Sequence, residues 1–276
     1  MTHMIYVVPS LKAKEKLQCE GKAWAESQGF AYVPRGKRTI QDLMDEYGED
    51  FLVYSSRGPQ IDRPEGSHFF SLNMAELRIQ SLRKGQRDHL LEALMGVKEY
   101  DLRPAAAQPP ISVLDCTCGF GADAAVASFG LPAGSRVDAL EVSPLLEAVT
   151  AWGFSHFVHK KDDVTAALRR ISLRCGDYRD YLLSDDGPVY DVLYFDPMFQ
   201  RPVEASCQFQ PVRAIMEHGG LTRDLIERAL QKARRRVVIK ERDFRQLCRD
   251  FPDVALYGGK YSRIGYAVLE CDSWKK

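Results

Sequence analysis

The stretch that decides the fold reads Asp115-Cys116-Thr117-Cys118-Gly119-Phe120-Gly121-Ala122-Asp123-Ala124. It follows the apolar run Ile111–Leu114, and helix-forming residues begin at about Ala122. Gly119 permits a tight turn with positive φ, and Gly121 lets a ligand approach the backbone. Twenty residues after Gly121 comes Glu141, at the end of a second predicted strand, Arg136–Leu140. An acid at that distance is placed to meet a ribose diol. Each piece is a short pattern, and their order gives the reading its weight.

Working outward, the same alternation continues. Ser143-Pro144 reads as an N-cap followed by proline at the first helical position. Ser172–Arg174 is a third strand, followed by Cys175-Gly176-Asp177. Tyr190–Phe195 is a fourth, ending at Asp196-Pro197. A helix over Leu221–Ala233 and a fifth strand over Val237–Lys240 come next. Val254–Tyr257 and Ile264–Leu269 suggest a terminal pair. Strands separated by helices predict an α/β domain whose parallel sheet is covered on both faces. Ligands then sit beyond the carboxyl ends of the strands.

Upstream, Asp101–Pro110 has the prolines and lack of periodicity of a linker. Before it, strands are expected at Ile5–Val8, Phe30–Val33 and Phe51–Tyr54. Helices are expected at Lys12–Gln28, at Ile40–Tyr47 capped by Thr39, at Met74–Leu82 and at Asp88–Leu94. Gly58-Pro59 and Pro64-Glu65-Gly66 read as turns, with Phe69–Leu72 closing a hairpin. The expected organisation is a small N-terminal α/β lobe over 1–100 and the larger α/β domain over 101–276.

The 276 residues balance 38 Lys and Arg against 38 Asp and Glu, so net charge selects no polyanion partner. Between Arg223 and Arg249, however, ten basic residues face four acidic ones. That segment is either a phosphate-binding face or a solvated helix surface. No apolar run approaches the roughly 18 to 20 residues of a membrane span, and the start lacks the order of a signal peptide. The seven cysteines read as reduced thiols of a cytoplasmic protein. Cys116-x-Cys118 lacks the second ligand pair of a zinc site and reads as packing, so no metal is expected.

Two ligand classes use a glycine turn followed by an acid. A dinucleotide lays an anionic pyrophosphate over the turn. S-adenosylmethionine instead brings an ammonium, a sulfonium and a carboxylate. Asp115 and Asp123 flank the glycines and favour the cationic ligand, although Gly119-x-Gly121-x-x-Ala124 also satisfies the dinucleotide pattern. Asp123 could equally serve only the helix N-terminus. Asp177 could meet an adenine amine or simply cap a helix.

Asp196-Pro197-Met198-Phe199 has a chemical use at a strand end. A nucleobase exocyclic amine is a poor nucleophile because its lone pair is delocalised into the ring. Asp196, or a carbonyl beside Pro197, can accept the amine protons, and Phe199 can stack on an extruded base. The bland alternative is an Asp-Pro turn with a buried aromatic.

Taken together, Asp115-x-Thr117-x-Gly119-x-Gly121-x-Asp123-Ala124, Leu140-Glu141, Asp196-Pro197-Met198-Phe199 and Val237-Val238-Ile239-Lys240 resemble the ribosomal small-subunit RNA guanine-N2 methyltransferases of the J type, and still more their bacterial relatives with a longer N-terminal region. The resemblance runs from about Phe69 to Tyr266. It implies a Rossmann-like class I methyltransferase sheet and S-adenosylmethionine as cofactor. It also implies donor contacts at Ala122, Asp123, Glu141, Val142, Gly176, Asp177 and Asp196, beside Asp115, Gly119 and Gly121 of the turn. The J-type enzymes carry arginines where this chain has Ala122 and Val142, a serine pair for Gly176-Asp177 and a proline for Gln200.

Candidate substrate contacts are Lys240, Arg78 and Arg263, with Lys84, Arg87, Arg242 and Lys260 as surface charges nearby. His68 could act as a base, but amine methylation needs no strong one. The leading expectation is methylation of a nucleobase amine in ribosomal RNA. A small-molecule or protein methyltransferase, a non-catalytic RNA-binding protein and a nicotinamide oxidoreductase are the alternatives.

Overall fold

The computed structural model describes residues 4–98, 108–197, 220–258 and 264–274. Most of the expected linker at 101–110 lies outside them. The chain forms two compact units, one holding residues 4–71 with Ser143–Phe157 and the other the remaining described residues.

The smaller unit contains β1 (Tyr6–Pro9), α1 (Glu15–Ser27), β2 (Ala31–Tyr32), α2 (Ile40–Tyr47), β3 (Phe51–Ser55), β4 (Gly58–Arg63), β5 (Gly66–Phe69) and, from later in the chain, α6 (Pro144–His156). Its strand order is β2-β1-β3-β4-β5. β1 runs parallel to β2 and β3, while β3, β4 and β5 form antiparallel hairpins. Alternation along the strands gives each face its own helix. Ala25 of α1 packs with Val7 and Tyr54, and Leu43 of α2 packs with Val8, Phe51 and Val53. Thr39 caps α2 as expected. Its hydroxyl accepts from Asp42 N–H at 3.1 Å, and the Asp42 carboxylate accepts from Thr39 N–H at 2.7 Å, a reciprocal pairing of orphan donors.

Two local expectations are corrected here. Gly58-Pro59 is the start of strand β4, and the turn lies two residues earlier at Ser56-Arg57. Gly58 is needed for closeness: its φ is +86°, and an added Cβ would come within 2.5 Å of the Trp152 ring on α6. The closing strand is Gly66–Phe69 rather than Phe69–Leu72, because the Pro64-Glu65 turn brings Gly66 opposite Arg63.

The larger unit holds α3 (Asn73–Arg83), α4 (His89–Met95), β6 (Ser112–Asp115), α5 (Ala122–Gly130), β7 (Arg136–Glu141), α7 (Asp162–Arg169), β8 (Ile171–Cys175), α8 (Tyr178–Leu183), β9 (Val192–Phe195), α9 (Arg223–Lys232), β10 (Arg236–Glu241), α10 (Arg245–Asp250), β11 (Ala255–Gly258), β12 (Gly265–Glu270) and α11 (Cys271–Trp274). Its seven strands lie in the order β11-β12-β10-β9-β6-β7-β8. β6 to β10 are parallel, and β12 runs antiparallel to both of its neighbours. The chain winds outward from β6 to β8, then returns to β9 on the other side of β6. That reversal opens a crevice at the strands' carboxyl ends. Leu114, Leu193, Phe195, Val237 and Ile239 fill the core beneath it. This is the Rossmann-like sheet expected, with the terminal antiparallel pair in place. Helices α7, α8, α10 and α11 carry no expectation from the sequence. α8 and α10 have only six residues each and α11 four, too short for a periodic signal.

Candidate active site at the carboxyl ends of the strands

The glycine turn is tied to the strands on both sides. Cys116 N–H donates to the Tyr194 carbonyl and Cys118 N–H to the Leu140 carbonyl, both at 2.9 Å. Gly119 N–H donates to Oε2 of Glu141 at 2.9 Å. Asp196 N–H donates to the Thr117 hydroxyl at 2.6 Å. Gly119 and Gly121 have φ of +55° and +75°, a region that side-chain-bearing residues avoid. Gly121 is also the cap of α5, which sets Ala122 and Asp123 in its first turn.

Five charged side chains meet here in a line. Arg78 of α3 holds both oxygens of Asp88, at 2.7 and 2.8 Å, and also donates to Oδ1 of Asp123. Oδ2 of Asp123 accepts from the Tyr194 hydroxyl at 2.7 Å and from Lys240 at 2.8 Å. Lys240, at the end of β10, also donates to Oδ2 of Asp196 at 2.7 Å. The two carboxylates differ in access: the Asp123 side chain is 9% exposed and that of Asp196 29%. Oδ1 of Asp196 has no partner among the described residues.

This arrangement sets the charges. Burial alone would raise the Asp123 carboxyl, but Lys240 and Arg78 hold it below the usual range. Burial would lower Lys240, yet Asp123 and Asp196 raise it. Burial pushes Asp196 up to about 6, against the pull of Lys240 and with the help of Asp123. Asp115, wholly enclosed, is pushed well above the carboxylate range by burial and by the Asp123 and Asp196 charges, against the Thr117 N–H it accepts. Burial thus favours the neutral form of Asp115, while Lys240 and Arg78 favour the charged form of Asp123.

The other expected residues fall at strand tips. Val142 follows β7, and Gly176 follows β8, where its N–H donates to the Glu141 carbonyl at 2.9 Å. Asp177 is the N-cap of α8 and takes Arg179 N–H at 2.7 Å and the Arg179 guanidinium at 3.0 Å. Pro197 follows Asp196 at the tip of β9. Met198, Phe199, Gln200, Lys260 and Arg263 lie outside the described residues. Arg78 and Lys240, expected to reach a substrate, both spend their hydrogen bonds on carboxylates of the site. His68 belongs to β5 of the smaller unit.

Part of the basic run is paired internally. Arg223 pairs with Glu227, Arg235 with Asp191, Arg236 with Glu270 and Arg245 with Asp243. Lys232 donates to the Tyr181 carbonyl. Cys116 and Cys118 are buried, and among the described residues no group of three or more His, Cys, Asp or Glu is arranged to hold a metal ion. No helix among them is long and apolar enough to cross a membrane.

Sequence reasoning missed Thr117, Tyr194 and Asp88. Thr117 and Tyr194 sit inside motifs that were quoted, and alternation along β9 places Tyr194 two residues before Asp196. Asp88 carried no signal, because its partner Arg78 is reached through the fold and not through spacing.

A family model described as "Putative SAM-dependent methyltransferase" matches residues 79–264. The chain belongs to this family. The methyltransferase is 28% identical over 236 residues to YpiP, an uncharacterised Bacillus subtilis protein, covering 85% of this chain and 88% of that one. It is 31% identical over 158 residues to the ribosomal RNA small subunit methyltransferase J of Thioalkalivibrio sulfidiphilus, covering 56% and 57%. The J enzyme of Dechloromonas aromatica is 27% identical over 202 residues, with 72% and 76% covered. A solved SAM-dependent methyltransferase from Neisseria gonorrhoeae superposes with a TM-score of 0.62 at 17% identity, covering 96% of this chain and 95% of its own. That likeness supports the class I fold.

The cofactor of the methyltransferase is therefore S-adenosylmethionine, and the residues present fit it. An added Cβ on Gly119 would find only the Thr117 carbonyl, at 4.0 Å, so the turn offers open backbone to a ligand. Carboxylates at the tips of β7 and β9 suit a ligand carrying a diol and a sulfonium.

Proposed function

We propose that this methyltransferase modifies an exocyclic amine of a nucleobase in ribosomal RNA, in the cytoplasm. The observation that carries the reading is Asp196. Its carboxylate stands at the tip of β9, one oxygen fixed by Lys240 and the other facing no described partner. Bound S-adenosylmethionine supplies a methyl group on a positively charged sulfur. The turn residues Asp115, Gly119, Gly121, Ala122 and Asp123, with Glu141 and Val142 after β7 and Gly176 and Asp177 after β8, hold it. Oδ1 of Asp196 accepts an N–H of the acceptor amine, which orients the nitrogen lone pair and later takes the proton that the methylated amine loses. Pro197 stiffens the turn that presents this carboxylate, and Phe199 provides a stacking surface. The relatives named as ribosomal RNA small subunit methyltransferases support the choice of acceptor.

The test compares ribosomal RNA nucleosides by mass spectrometry from a deletion strain, its parent and the deletion strain carrying Asp196→Ala. One methylated nucleoside should vanish on deletion and stay absent with the variant. Unchanged nucleosides would turn the reading toward a small-molecule or protein acceptor, which the internal pairing of the basic run would suit.

A further inference from the structure

Lys240 lies where a lysine is expected to meet substrate, yet its ammonium is committed to two carboxylates, 2.8 Å from Asp123 and 2.7 Å from Asp196. Asp123 is in turn fixed by Arg78 and by the Tyr194 hydroxyl. Arg78 is itself fixed by Asp88. The ammonium thus has an anchored side and a working side. On the working side, among the described residues, only one oxygen of Asp196 is used.

We propose that Lys240 is a positioning residue, clamped by Asp123 so that its ammonium keeps the Asp196 carboxylate ionised and turned with Oδ1 free for the acceptor amine. This inference rests on the acceptor role given to Asp196 above. Asp196 is faced by Lys240 and Glu241 from β10, Asp123 from α5, Asp115 from the end of β6 and Tyr194 from its own strand. Of these only Lys240 is cationic. Burial and the acidic neighbours act together to protonate Asp196. A protonated Asp196 would offer an O–H donor where the amine needs an acceptor. A positive charge at hydrogen-bond distance opposes this and lowers a carboxyl pKa by roughly 1 to 3 units.

The experiment titrates the full-length protein. Aspartate side-chain carboxyls are labelled with carbon-13, and the Asp196 resonance is assigned by its loss in Asp196→Ala. Wild type should titrate at or below about 6. Lys240→Gln should move the midpoint up by roughly 1 to 3 pH units, and Lys240→Arg should return it toward wild type. Lys240→Met serves as a second neutral variant should the glutamine fold poorly. A midpoint unmoved in a folded neutral variant overturns the proposal. Methyl transfer to ribosomal RNA from the deletion strain, measured across pH, separates the two readings. If Asp196→Ala stays active, the acceptor role fails. If Asp196→Ala is inactive but Lys240→Gln loses the same fraction of its rate at every pH, the positioning role alone fails.

Discussion

The Thr117 hydroxyl accepts the backbone N–H of Asp196 at 2.6 Å. It thereby fixes the tip of β9 to the glycine turn that follows β6. Both ends of the expected chemistry, donor cradle and acceptor carboxylate, share this one hydrogen bond.

Thr117→Val keeps the shape and removes the acceptor. A half-buried N–H left without a partner costs about 1 to 3 kcal/mol. Denaturant midpoints should show that loss. Turnover should fall by roughly tenfold or more, since about 1.4 kcal/mol corresponds to a factor of ten. Thr117→Ser should retain most of both. Equal turnover in the valine variant would detach Thr117 from the site.

Glu141→Ala should weaken S-adenosylmethionine binding by roughly 1 to 3 kcal/mol, the scale of a lost charge-assisted hydrogen bond. Calorimetric titration reads this directly. An unchanged dissociation constant would remove Glu141 from the donor site.

Gly58→Ala should destabilise the protein by about 2 to 5 kcal/mol. Its positive φ disfavours any Cβ, and the new methyl would meet the Trp152 ring, adding overpacking to strain. Thermal melting of the variant measures it. A shift within error would mean that α6 can move away from β4 at no cost.

His68 predicts an acid-sensitive stability. Burial depresses it from 6.5 to about 4, so the folded protein binds fewer protons than the unfolded chain between those values. Stability should then rise with pH across that window and be lost as pH falls through it, by about 1.4 kcal/mol for each unit of depression at most. Urea midpoints from pH 4.5 to 7 should slope upward, and His68→Leu should flatten the slope. A slope equally steep in the variant would assign the effect to other groups.

The alternation of strand and helix after Ile111 was legible because each element carries its own local signal. Apolar runs mark β6, β7, β9 and β10, and the glycines at 119 and 121 mark the turn between β6 and α5. The β3–β4 hairpin was misplaced because Gly58 is demanded by the Trp152 ring, a tertiary contact that imitates a turn signal. The acids at strand tips were legible as candidates, since each follows directly on a run of strand-forming residues. Their pairing was not. That Lys240 joins Asp123 to Asp196, residues 73 apart in the chain, follows from strand order, which no local pattern encodes. The burial of Asp115 was hidden for the same reason, because enclosure is a property of the assembled sheet.

The position of β12 bears on how the protein is made. This segment, Gly265–Glu270, is placed between β10 and β11, so an interior member of the sheet is made only after both of its neighbours. Until it emerges, β10 presents a bare edge of valine and isoleucine that invites wrong partners. A chain truncated before residue 265 should therefore be a client for chaperones, whereas one that includes β12 can close its own sheet.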